Sequence, residues 1–129
     1  MRRVNVQDVL TAANSTTIAV AGAVTVYTKS FVLTGGDFFS LSYIAITLPD
    51  LLIELEESFQ LPATEGAADA NWVEPEGMAN VETNLITTTM HHKSLSPATM
   101  PYGRFKITGN VGNNAGATIR MRINQQEEF

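Results

Sequence analysis

An all-β domain, an antiparallel β-sandwich or jelly roll of about seven or eight strands, is the fold this chain of 129 residues predicts. Three observations lead there. β-branched and aromatic residues recur in short runs with period-two alternation. Gly, Asn and Pro punctuate those runs, and no run keeps helical spacing convincingly. The length suits a single domain with a single core, and an apolar fraction of 44% with 16% charged residues is the balance of a chain that folds.

The elements follow in order. Val24 to Leu33 reads as one strand, closed by Gly35-Gly36, a pair suited to positive φ. Asp37 to Leu48 places Phe39, Leu41, Tyr43 and Ala45 on one side and Phe38, Ser40, Ser42 and Ile44 on the other, and Pro49 ends it. Asp50 to Phe59 also satisfies a helical spacing at Leu51, Leu52 and Leu55. Its cleaner alternation through Ile53, Leu55 and Glu57, between Pro49 and Pro62, favours a strand. Residues 62–80 form a long loop of Pro, Gly, Ala, Asp, Asn and Glu with one bulky site, Trp72-Val73, and excursions of this kind are more often functional than decorative. Strand character resumes over Thr83 to His92. A strand over Pro101 to Thr108 turns Phe105 and Ile107 inward, Gly109 to Gly116 is a wide turn, and Thr118 to Ile123 closes the domain with an apolar side and a basic side. Residues 1–14 are expected as a flexible N-terminal arm and residues 124–129 as a short tail.

Composition narrows the function. Without cysteine there are no disulfides, thiolate nucleophiles or cysteine-based zinc sites. Val4 to Asp8 is too polar for a secretory signal, and the Ala/Val-rich stretch Ile18 to Val26 is far short of the ~20 apolar residues a spanning helix needs. A protein made and used without export, with no membrane partner, is the expectation. The net charge of −5 is unevenly spread: between Ser30 and His92 there are ten carboxylates and no Lys or Arg, whereas both ends are basic. If the ends pair in one sheet, the molecule has two electrically different faces.

A search for chemistry predicts no enzyme and no cofactor. His91 and His92 are neighbours on a strand and point to opposite sides, so they do not chelate one metal. Glu54 and Glu56 share a strand side, and alternation with leucines reads as a solvated face rather than as an acid/base pair. Glu65, Asp69, Glu74 and Glu76 lack the spacing of a calcium loop, and Gly109 to Gly116 precedes no helix, so it is not a phosphate loop. The acidic balance argues against nucleic acid. Arg120 and Arg122, which with Lys106 would make a small positive strip, suit a protein or subunit contact. Trp72 suits three roles: a sugar-stacking residue, an interface anchor, or a plug that pins the long loop.

The run Pro101-Tyr102-Gly103-Arg104-Phe105-Lys106-Ile107-Thr108-Gly109-Asn110, the Asn/Gly-rich turn after it and the closing strand Ala117 to Ile123 resemble the small β-sandwich virion proteins of tailed bacteriophages, the capsid decoration (cement) and head-fibre proteins. The earlier strands around Gly35-Gly36 fit the same layout, and the likeness covers roughly residues 15–123. The resemblance implies a virion protein, present in the host cytoplasm during assembly, that binds the major capsid protein and copies of itself, often as a trimer. On that reading Arg2, Arg3, Val4, Val6, Trp72, Arg120, Arg122 and Phe129 are candidate partner or subunit contacts. A tail or connector component and a carbohydrate-binding module built on Trp72 are the alternatives.

Overall fold

Alternation becomes ten strands: β1 (Arg2–Val9), β2 (Ile18–Val20), β3 (Thr25–Tyr27), β4 (Phe31–Val32), β5 (Phe38–Ala45), β6 (Leu51–Ser58), β7 (Glu82–Leu85), β8 (His91–Leu95), β9 (Tyr102–Gly109) and β10 (Ala117–Glu128). The structure is a computed structural model and describes residues 2–33, 38–47, 49–75, 80–95, 100–113 and 116–128; the Gly35-Gly36 turn and Phe129 lie outside them. Among the described residues there is no helix, and none long and apolar enough to cross a membrane.

Two antiparallel sheets of five strands pack face to face. The first, the terminal sheet, has the order β1-β10-β5-β8, with β2 continuing along the side of β10 that β1 occupies. The second, the covered sheet, has the order β3-β9-β6-β7, with β4 extending the β3 side of β9. Counting β1 with β2 and β3 with β4 leaves four positions per sheet, visited by the chain in the order of a jelly roll, so the sandwich predicted from sequence takes its jelly-roll form. Between the sheets lie the inward residues of each alternation: Leu41 and Tyr43 of β5, Leu51, Ile53 and Leu55 of β6, Phe105 and Ile107 of β9, and Ile119, Met121 and Ile123 of β10, all buried. β6 is a strand, as its alternation predicts, with Leu52, Glu54 and Glu56 turned outward.

Four sequence expectations need correction. The segment expected as an N-terminal arm is mostly strand: Arg2–Val9 pairs with β10 along its whole length. The expected tail is its partner, because β10 runs on to Glu128 and sets Arg2 against Glu128, Arg3 against Glu127 and Asp8 against Arg122. The Asp8–Arg122 ion pair favours that pairing, and it closes an edge β10 would otherwise expose. Val24 to Leu33 divides into β3 and β4 because Thr28 turns inward; its Oγ1 accepts a hydrogen bond from the Phe105 N–H at 2.9 Å, and the Lys29 N–H donates to the Leu10 carbonyl at 2.7 Å. Thr83 to His92 is likewise two strands in different sheets: Leu85 pairs with Leu51 of β6 and His91 with Tyr43 of β5, and the exposed stretch Ile86 to Met90 crosses between them.

The long loop is a lid on the covered sheet. Arg104, on the outer side of β9, is 0% exposed, with its guanidinium stacked between the rings of Tyr27 (4.5 Å) and Trp72 (4.9 Å). Its Nε donates to Glu56 at 2.9 Å and its Nη1 to the Ala67 carbonyl at 2.8 Å. A bridge between Glu57 and Val73, and hydrogen bonds from the Ser30 N–H and hydroxyl to Glu65, fasten the loop on either side. Asp69 holds its shape by accepting the Asn71 and Ala63 N–H groups, which lowers its carboxyl below the usual value.

A candidate docking face on the terminal sheet

One outer face of the sandwich is partly covered by the chain itself; among the described residues no loop covers the other. On the terminal sheet the outward positions are Val6 and Asp8 of β1, Arg120, Arg122 and Asn124 of β10, Ser40, Ser42 and Ile44 of β5, and His92 and Ser94 of β8. Their register brings them together. Arg122 Nε donates to Asp8 at 3.1 Å, Asn124 Nδ2 lies 3.4 Å from the hydroxyl oxygens of both Ser40 and Ser42, and the Ser42 hydroxyl meets His92 Nδ1 at 2.7 Å. Polar contacts thus run across all four strands, β1, β10, β5 and β8. Asp8, Arg122, Asn124 and Ser42 of this row line a groove of about 640 Å³ whose walls include Val6, Ile44, Met90 and Arg120. Met90 and Val6 are more than half exposed, and Arg120 is exposed with no carboxylate in ion-pair range among the described residues.

Of the residues singled out in the sequence, the structure gathers Val6, Arg120 and Arg122 on this face. Arg2, Arg3 and Val4 stand further along β1, at the register of Glu128, Glu127 and Gln126. Lys106 is not in the strip with the two arginines: β9 belongs to the covered sheet, where Lys106 stands opposite Glu54 on the other side of the molecule. Trp72 is 4% exposed and lies against Arg104, so it is the plug of the loop, with no free ring face to offer a sugar or a partner. Sequence reasoning missed Ser42, Asn124, His92, Ile44 and Met90 as members of the face. Alternation put Asn124 on the side of Arg120 and Arg122, but the neighbours of β10 follow only from topology.

A second cluster lies at the β7/β8 side of the sandwich. The hydroxyl of buried Tyr43 donates to Glu82, whose carboxylate is 3.3 Å from Lys93 Nζ and 3.9 Å from His91 Nδ1. His91 stacks on the Tyr43 ring at 5.3 Å and its Nε2 is 2.8 Å from the Thr87 hydroxyl; Lys93 also donates to the Val81 carbonyl at 2.6 Å. These groups satisfy one another and tie the two sheets together where the chain crosses between them. Burial, then the hydrogen bond to Glu82, raises the Tyr43 hydroxyl well above its ordinary value of about 10. The folded state therefore holds this proton more tightly than the unfolded chain. The resulting stability is complete below about pH 10 and drains away as the pH rises above it, by up to about 1.4 kcal/mol per pH unit. Urea unfolding of the wild type at pH 9 to 11 is expected to show this decline, and Tyr43→Phe to flatten it.

Among the described residues no three His, Asp or Glu side chains converge to hold a metal. No protein-family model matches the chain, and no curated protein matches it.

Proposed function

We propose that this chain is a non-catalytic virion structural protein, of the kind that decorates a capsid shell, and that the open face of its terminal sheet is its docking surface. One observation carries the reading: the two outer faces are treated oppositely. The covered sheet spends a long loop, an aromatic plug and a buried arginine on covering itself, while the terminal sheet keeps a groove that is basic at Arg120 and Arg122 and apolar at Val6, Ile44 and Met90. Exposed apolar positions beside exposed cations are the surface of a module that docks. The filled core and the jelly-roll connectivity suit a rigid subunit attached to a larger assembly. Trp72 under its loop leaves the carbohydrate-binding alternative without its stacking residue.

The test is mass spectrometry of purified virus particles from cells that carry the gene, together with light scattering of the recombinant protein. The expected result is the chain in the particles at a fixed ratio to the major shell protein. A chain absent from particles and monomeric in solution overturns the reading.

A further inference from the structure

We propose that the groove on the terminal sheet receives the loop-covered face of a second copy of this chain, so that copies associate head to tail. The inference rests on the docking-face reading above and names the occupant of that same face.

Three features of the opposite face match the groove. The first is charge. The groove presents Arg120 and Arg122, with Asp8 as the acid already engaged by Arg122. The covered face presents Glu54 from β6 and Glu74 from the loop beside Lys106, with Glu56 already engaged by the buried Arg104 beneath. These carboxylates crowd one another: partial burial and then Glu54, with Glu56 adding to it, raise the Glu74 carboxyl above its usual value, against the pull of Lys106. A cation brought to Glu74 relieves that crowding, and Arg120 is an exposed cation with no carboxylate in ion-pair range among the described residues. The second is shape, since the loop thickens the covered sheet into a ridge while the terminal sheet holds a hollow of about 640 Å³. The third is apolar surface. Val73, 51% exposed on the ridge beside Glu74, faces solvent as a small hydrophobic knob, and Val6 and Met90 form the apolar rim of the hollow. Because the two surfaces lie on opposite sides of one sandwich, the contact is heterologous, and each copy keeps one free groove and one free ridge until a ring closes or a stack grows.

Sedimentation or light scattering of the whole chain over a concentration series tests this. At low ionic strength the wild type is expected to exceed the monomer mass and to fall toward it in high salt, where screening shortens the reach of surface charge. Arg120→Glu and Glu74→Lys, each at a solvent-exposed site, are expected to weaken association about tenfold or more by placing like charges together. An equimolar mixture of the two variants restores it, because the reversed groove of one then meets the reversed ridge of the other. Unchanged melting curves confirm that both variants fold. A wild type that stays monomeric at every concentration and salt level overturns the inference, as does association that survives either substitution. A monomeric wild type that is nevertheless present on particles, and is lost from them with Arg120→Glu, removes the self-association alone and leaves the docking reading standing. Self-association by a chain absent from particles removes the virion reading alone.

Discussion

Arg104→Ala is expected to lower the free energy of unfolding by about 3–5 kcal/mol, a large share of the roughly 5–15 kcal/mol that holds a domain of this size together. The guanidinium is fully buried on what would otherwise be the solvent side of β9, between Tyr27 and Trp72, with Glu56 and the Ala67 carbonyl as hydrogen-bond partners. Alanine removes both ring contacts at once and leaves Glu56 half-buried without its cation. Desolvation of that uncompensated carboxylate, more than the lost attraction, dominates the cost. Arg104→Met, which keeps an apolar stem between the rings, is expected to cost less than alanine, and Arg104→Met combined with Glu56→Gln less again. Equilibrium urea unfolding of the three variants checks the order. A cost as small for alanine as for the double variant would show that the stack, and not the ion pair, is what the site contributes.

The same substitution has a local consequence. The loop over residues 62–75 is held by the Arg104 stack, the Glu57–Val73 bridge and the Glu65–Ser30 contact. Removing the first leaves two small anchors, so limited proteolysis of Arg104→Ala is expected to cut the loop before the sandwich unfolds.

Why this arginine escaped the sequence reading is instructive. Arg104 sits in a run whose alternation gives Phe105 and Ile107 inward, and the same alternation sends Arg104 outward, where a charged residue needs no explanation. Only the return of the loop, about thirty residues earlier in the chain, buries it, and no local pattern announces that return. The strands themselves were legible wherever one face is buried, as in β5, β6 and β9, because burial forces period two. Boundaries failed where the chain changes sheets: Ile86 to Met90 is β-branched and threonine-rich, so propensity continues through a corner that belongs to neither sheet. The paired termini were missed because both are polar, and a pair such as Asp8 against Arg122 becomes visible only when the register is known. The docking face was half legible for the same reason: Arg120 and Arg122 share a strand side in any register, whereas Ser42 and His92 join them only through the order β10-β5-β8.

Gly109→Ala is the second large effect, and it acts through the backbone. A Cβ at Gly109 would overlap the Ala21 carbonyl oxygen and lie 2.8 Å from its carbon and 3.3 Å from the Gly22 Cα. Side chains yield to such a clash; here the obstacle is main chain fixed from both sides. Gly109 N–H donates to the Val24 carbonyl at 2.9 Å, Ala23 N–H donates to the Gly109 carbonyl at 2.8 Å, and Val24 N–H closes the turn onto Ala21 at 3.3 Å. Moving the turn far enough to admit a methyl group breaks the two bonds that tie it to Gly109, at about 1 kcal/mol each, and pulls on β2 and β3, which lie in different sheets on either side of it. A loss of about 2 kcal/mol is therefore expected in urea unfolding. Gly112→Ala is the control: its Cβ meets the Asp50 carboxylate, the end of a side chain at a partly exposed turn, which can swing aside at the cost of its hydrogen bond from Asn110. That variant is expected to lose about 1 kcal/mol. Equal losses for the two glycines would mean that the 21–24 turn is free to move, and that the junction between the sheets at Gly109 is looser than its hydrogen bonds imply.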